Sequence, residues 1–141
     1  MTDQIAPRLH HVVFCVQPEN QDRAADFWRD LGLVFQEIAL AEEGLRVLLD
    51  WSAGIEIISP TQEPGTETAR FREFLDQQGE GVCSVVLTAP NVENPILVAK
   101  RHGSSVRYQQ HREDGGYFLD EADLTPIFGM PVTLLATNRP G

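Results

Sequence analysis

The sequence predicts an α+β fold of two βαβββ modules. The first observation is an internal repeat, in which the apolar segments 9–16 and 82–89 align. The second is that a helical pattern follows each segment and ends at a glycine, Gly32 or Gly103. The third is that each half closes on a short apolar run. A repeat of this kind indicates two copies of one supersecondary unit.

The first module, residues 9–60, is predicted to run strand, helix and three strands. β-Branched and apolar residues over 9–16 predict a buried strand. Apolar residues then recur at helical spacing until Gly32, which suits the position after a helix end. Three further strands are expected, at about 33–40, 45–51 and 55–59, and Pro60 ends the last of them.

A connecting segment, residues 61–81, is predicted to contain a helix over about 66–78. The second module, residues 82–137, repeats the order of the first. Its segment 109–116, with His111, is expected to be a hairpin turn, and 120–129 an irregular loop. The remaining predictions are a strand from 82, a helix at 92–102, and strands at 104–110, 116–119 and 131–136. The chain 1–141 is therefore expected to be one domain.

The net charge, the apolar runs and the cysteines of the chain exclude several classes of partner and location. The net charge of −10 argues against nucleic acids and anionic membranes as partners, since both favour a basic surface. No apolar run approaches the ~20 residues that a membrane-spanning helix needs, and the first residues show no signal-peptide pattern. A cytoplasmic protein is therefore expected. Cys15 and Cys83 occupy offset positions in matching strands, so a disulfide between them is not expected.

In the alignment of the two repeats, His11 corresponds to Ser84, and Glu56 corresponds to Thr133. Glu56 stands between isoleucines, where an isolated carboxylate is costly to bury unless it is paired or protonated. It is the candidate general base, with His11 as its partner. The alternatives are that Glu56 binds a ligand without catalysis, and that His11 is a buried histidine held by a hydrogen bond.

Side-chain alternation along the strands predicts which residues share the face of His11 and Glu56 and line a ligand site there. This lining is mostly apolar with a few hydroxyl groups, which suits an apolar or aromatic small molecule. Arg46 and Arg107, in matching strands, are candidates for a ligand carboxylate or for a solvated strand face. The predicted lining residues are Val13, Cys15, Ile58, Ser84, Val86, Thr88, Thr133 and Leu135.

Four segments together resemble the vicinal-oxygen-chelate superfamily, which includes glyoxalase I, bleomycin-resistance proteins and extradiol dioxygenases. They are 10–16, 27–33, 55–60 and 71–82. The last is similar to the segment before the second module in methylmalonyl-CoA epimerases and 4-hydroxyphenylpyruvate dioxygenases. The resemblance implies a glyoxalase-like fold, in which the strands of the two modules form one curved mixed sheet shaped as a cup. It also implies a homodimer, with modules paired within one chain or swapped between two.

The resemblance also implies metal ligands on the first and fourth strands of each module. His11 and Glu56 match these positions, whereas Ser84 and Thr133 depart from them. A divalent ion normally takes three or more imidazole or carboxylate ligands. We therefore expect no cofactor, or a weakly bound divalent metal held by His11 and Glu56.

Two functions follow from the sequence. The first is a glyoxalase-like isomerase, epimerase or lyase in which Glu56 removes a proton next to a carbonyl and His11 assists. The alternative is a non-catalytic protein of the bleomycin-resistance type, which binds and sequesters a small molecule. A regulatory or scaffold copy with an inactive cup is a third possibility.

Overall fold

The computed structural model describes residues 7–140, which divide into two compact units. One unit is His11–Cys83, and the other combines the residues on either side of it. The α+β class with two βαβββ modules is confirmed. The elements are β1 Arg8–Cys15, α1 Gln21–Asp30, β2 Gln36–Leu40, β3 Leu45–Asp50, β4 Ile55–Pro60, α2 Thr68–Gln78, β5 Gly81–Thr88, α3 Glu93–Arg101, β6 Val106–Asp114, β7 Tyr117–Leu124 and β8 Val132–Thr137.

The first module has the strand order β2-β3-β4-β1, in which β1 and β4 are parallel and the other pairs antiparallel. Val13 pairs with Glu56 in this register. Helix α1 packs on one face of the sheet, where Ala25, Leu48 and Ile57 form a buried cluster. Because side chains alternate along a strand, Glu56 points to the opposite face from Ile57.

The second module has the order β5-β8-β7-β6, again with one parallel pair, β5 with β8. Val86 pairs with Thr133, the counterpart of Val13 with Glu56. The two registers match, so the alignment of the repeats from sequence is confirmed. Helix α3 covers one face, and Thr133 points to the other. The core cluster beneath α3 comprises Val92, Ile96, Ala122, Leu124, Leu134 and Ala136.

The connector after β4 is tied by its backbone to the turn between β2 and β3. Thr61 N donates to Gly44 O at 2.8 Å, and Glu67 N donates to Glu43 O at 2.9 Å. Gly44 has φ +72°, and a Cβ on Gly65 would lie 2.2 Å from Gly44 N. Only glycines allow this approach, because any side chain would collide with backbone.

Two predictions for the second module are wrong. Residues 120–124 belong to β7, so the irregular loop begins only after Leu124. His111 lies within β6, and the turn consists of Gly115 and Gly116, with φ +56° and +86°. Positive φ at both central residues is typical of a tight two-residue hairpin.

None of the helices within residues 7–140 is long and apolar enough to cross a membrane.

Candidate functional site

His11 and Glu56 form an acid–imidazole pair on the face of the first module opposite α1. His11 Nε2 lies 3.3 Å from Glu56 Oε1, and their side chains are 5% and 17% exposed. The geometry follows from the parallel pairing of β1 with β4, which sets Glu56 beside Val13, two residues from His11. Glu56 therefore remains reachable from solvent while most of its surface is buried.

The surroundings of this pair are aromatic and apolar. The rings of His11 and Trp51 are 5.8 Å apart between centroids, with a tilt of 35°. Leu49 of β3, which pairs with Glu56 of the neighbouring strand β4, is buried. Burial raises the pKa of the Cys15 thiol, on the same face of β1, to about 12. Cys15 is thus a neutral thiol at physiological pH and contributes no nucleophile to this face.

The equivalent positions of the second module form a hydrogen-bonded chain. Ser84 Oγ and Thr133 Oγ1 are buried and 2.6 Å apart. Thr133 Oγ1 donates to Asp123 Oδ1 at 2.9 Å, and Arg107 Nε donates to Asp123 Oδ2 at 2.6 Å. Antiparallel pairing of β7 with β8 sets Asp123 directly opposite Thr133. We call these four residues the hydroxyl chain.

The structure thus brings the predicted site residues together in two pairs, one in each module. Within the first module, Val13, Cys15 and Ile58 are buried; within the second, Val86 and Leu135 are buried and Thr88 is partly exposed. The ligand-lining role of these residues stays a prediction. Of the two candidate arginines, Arg107 bonds Asp123, and Arg46 bonds Asp22 and Glu37.

Asp123 is the residue of this site that the sequence did not single out. From sequence, the segment 120–123 is predicted to be part of an acidic loop because it contains three carboxylates. The alternation of Glu121, Ala122, Asp123 and Leu124 was the available signal, since Ala122 and Leu124 pack beneath α3. This period of two places Asp123 on the face of Thr133.

The donor set does not fit a divalent metal ion. The first module offers one imidazole and one carboxylate, and the two hydroxyl groups at the equivalent positions of the second module bond each other. Over residues 7–140, no three side chains of His, Cys, Asp or Glu are grouped so that they could hold a metal. Typical structural and catalytic sites need at least three such ligands.

Comparison with solved structures identifies the fold. A hypothetical protein from Bacillus halodurans matches with a TM-score of 0.74 and 18% identity, over 97% of this chain and 99% of that one. A variant of Streptomyces coelicolor methylmalonyl-CoA epimerase, in complex with 2-nitronate-propionyl-CoA, gives 0.68 and 22%, over 94% and 98%. A variant of 4-hydroxymandelate synthase from the same organism gives 0.70 and 15%.

The match to 4-hydroxymandelate synthase covers 96% of this chain, which spans about half the length of that protein. No family model matches the sequence, and no curated protein matches it. The fold is therefore that of the vicinal-oxygen-chelate superfamily, as the sequence resemblance predicted. The epimerase and the synthase share this glyoxalase-like fold.

Proposed function

We propose that this protein is a glyoxalase-like enzyme in which Glu56 is the general base for proton abstraction next to a carbonyl group. The observation that supports this role is the 3.3 Å contact between His11 Nε2 and Glu56 Oε1 on a largely buried face. A carboxylate retained in apolar surroundings beside an imidazole is a frequent arrangement for proton transfer.

In the proposed step, a Glu56 oxygen takes the proton from the carbon next to the carbonyl. The electron pair of that C–H bond passes into the enolate. Delivery of a proton from a solvent water to the opposite face of the enolate inverts the carbon, which is an epimerisation, and Glu56 then releases the proton that it took to solvent. Loss of a group from the neighbouring carbon would instead be a lyase reaction. The imidazole of His11 orients the carboxylate and can share the proton between the two half-reactions.

The donor set also limits the substrate. A metal ion would stabilise the enolate charge as a Lewis acid, and the residues present do not fit one. The reacting C–H bond should therefore already be acidified, by a second carbonyl or by an aromatic ring. This requirement agrees with an apolar or aromatic carbonyl compound as the ligand, in the setting of Trp51 and Leu49.

Exchange of the substrate proton with solvent tests the proposal whichever product the reaction forms. We would incubate the protein in D₂O with aryl-substituted ketones, 2-phenylpropionyl thioesters and methylmalonyl-CoA, and follow loss of the proton signal by ¹H NMR. Glu56→Gln should lower the exchange rate by about 10²-fold or more, because the amide keeps the shape but cannot take a proton.

Glu19→Gln, which removes an exposed carboxylate of the same module, is the matched control and should retain the rate. His11→Ala should shift the pH dependence of exchange. An unchanged rate in Glu56→Gln would refute the role of Glu56 as base.

The second candidate is a protein that binds and sequesters a small molecule. The observation that favours it is the hydroxyl chain, in which the groups at two family ligand positions bond each other and Asp123. Binding of a carbonyl compound by the wild-type protein with no exchange above the spontaneous rate would support this candidate over the enzyme.

A further inference from the structure

The turn between β3 and β4, residues 51–54, is held by the side chain of Asp50. Asp50 Oδ1 accepts a hydrogen bond from Ala53 N at 3.0 Å, and Oδ2 accepts one from Val34 N at 2.9 Å. These bonds from backbone amides lower the pKa of Asp50, because they stabilise its ionised form. Gly54 N also donates to Asp50 O at 2.9 Å, which closes the turn. The turn therefore has one fixed shape at neutral pH.

This turn joins β1 beside His11. Val12 N donates to Gly54 O at 2.9 Å, which ties the end of the turn to the residue after His11. Trp51, at the start of the turn, packs its indole against the imidazole of His11, with ring centroids 5.8 Å apart and a tilt of 35°. His11 Nε2 lies 3.3 Å from Glu56 Oε1. The imidazole is thus held by an aromatic ring that packs against it and by a carboxylate at one nitrogen.

The two contacts restrict different rotations of the imidazole. The torsion about the Cβ–Cγ bond of a histidine is broad, so the backbone alone does not fix the plane of the ring. Aromatic pairs at this separation prefer particular relative orientations, so the indole of Trp51 limits the angle of the imidazole plane. The Glu56 carboxylate selects the nitrogen edge of the ring, since only a nitrogen can form the hydrogen bond. Both restrictions are needed to keep Nε2 directed at Glu56.

We infer that Trp51 is a positioning residue, whose indole holds the imidazole of His11 in the plane from which Nε2 reaches Glu56. The inference rests on the function proposed for Glu56, because it assigns the residue that keeps the partner of Glu56 oriented. Trp51 itself takes no part in the proton transfer. Without the indole, the imidazole turns away from the carboxylate for part of the time, and Glu56 loses the group that orients it. Such a loss of orientation lowers the rate of the chemical step more than the affinity for substrate.

Nitrogen NMR of the imidazole tests the positioning directly and needs no substrate. In protein labelled with ¹⁵N-histidine, the change in the Nε2 chemical shift of His11 that Glu56→Gln causes reports the contact between the two side chains. We expect this change to fall to about half or less in a Trp51→Leu background, and to persist in Trp51→Phe, which retains an aromatic ring. If Trp51→Leu does not fold, Trp51→Met takes its place. An equal change in all backgrounds would overturn the inference.

The matched control is a second aromatic pair in the same module. Trp28 packs against Phe14 with ring centroids also 5.8 Å apart, on the face of the sheet that α1 covers. Trp28→Leu, or Trp28→Phe if the leucine variant does not fold, should lower the melting temperature and preserve the shift change at His11. If it reduced that change as much as Trp51→Leu does, general loosening of the module would explain the effect, and the inference would be wrong.

Proton exchange provides the catalytic readout. With a substrate that the wild-type protein exchanges, Trp51→Leu should lower kcat about tenfold and change KM by about twofold or less, while Trp51→Phe keeps both. A rise in KM with kcat unchanged would show that Trp51 binds substrate instead, and would overturn the positioning role. Absence of exchange in the wild-type protein would refute the role of Glu56, whereas the NMR comparison would still decide that of Trp51. The two proposals can therefore fail separately.

Discussion

The two modules place different chemistry at the same two backbone positions. In the first, an imidazole and a carboxylate meet at 3.3 Å, and the carboxylate keeps some contact with solvent. In the second, two hydroxyls meet at 2.6 Å and are anchored by a carboxylate from the neighbouring strand. The shared strand register decides which side chains meet, while residue type decides whether the pair can move a proton. The second module carries its carboxylate on β7, at Asp123, and a hydroxyl group at the β8 position.

The largest expected effect on stability comes from placing a carboxylate in the second module at the position that Glu56 has in the first. Thr133→Glu would set a second acid against Asp123 in a buried setting, without the imidazole that Glu56 has. We expect a loss of about 3 kcal/mol in the free energy of unfolding. Urea denaturation measures it, with Thr133→Val as the control at about 1 kcal/mol. If Thr133→Glu lowered the free energy of unfolding by less than about 0.5 kcal/mol, the expectation that this buried position does not accept a second carboxylate would be wrong.

A double-mutant cycle in the first module measures the coupling between His11 and Glu56. His11→Gln and Glu56→Gln, singly and together, should give a coupling of about 1 kcal/mol, because the partly buried pair loses a charge-assisted contact in either variant. The unfolding free energies of the four proteins give the coupling. Strict additivity would mean that the two groups stabilise the fold independently.

Low pH should weaken the hydrogen bonds that Glu80 accepts within the unit His11–Cys83. Glu80 accepts hydrogen bonds from Asn20 Nδ2 at 2.8 Å and from Gln17 N at 2.9 Å, and these bonds lower its pKa. A lowered pKa in the folded state stabilises the protein above the unfolded value of about 4.3, and this contribution disappears as the pH falls through the folded value.

Glu80→Gln should therefore cost about 0.5 kcal/mol at pH 7, discounted for the exposure of the group, and progressively less below about pH 4. Denaturation curves at pH 7 and pH 3 measure the change, with Glu19→Gln as control. An equal difference at both pH values would contradict the ionic origin of the contribution.

The smallest expected effect has the opposite pH dependence and lies in the second unit. The Asp120 carboxylate bonds His111 and raises its pKa, with a further contribution from Glu113. A raised pKa stabilises the fold fully below the unfolded value of about 6.5 and is lost as the pH rises through the folded value. His111→Gln should lower the melting temperature slightly at pH 6 and leave it unchanged at pH 9. A deficit that persists at pH 9 would point to packing instead of charge.

The first module was the easier one to predict from sequence. Its strands are apolar enough for the alternation to be visible, and Glu56 stands out because a charge between isoleucines is conspicuous. In the second module, the end of β6 (residues 111–114) and the end of β7 (residues 120–124) are rich in charged residues, so composition indicated a turn and a loop there. What holds these strands is backbone pairing and the packing of Ala122 and Leu124 beneath α3.

Side-chain networks across strands were beyond sequence reasoning. The partner of Thr133 depends on the register of β7 against β8, which no local pattern specifies once residues 120–124 are taken for a loop. Arg107 was considered for a ligand carboxylate, and its guanidinium bonds the carboxylate of Asp123. The register of β6 against β7, which brings Arg107 near Asp123, is fixed by the two-residue turn of Gly115 and Gly116.

The buried thiol on β1 gives the first module an internal reporter of its own opening. Burial raises the pKa of Cys15 to about 12, so the side chain is a neutral thiol at pH 7, and it has no exposed surface. Alkylating reagents and peroxides therefore act on Cys15 only in molecules whose first strand has separated from its neighbours. Where the reagent reacts faster than the strand closes, the rate of modification equals the rate of opening, so the resistance of this strand to oxidative damage is set by how often the sheet opens.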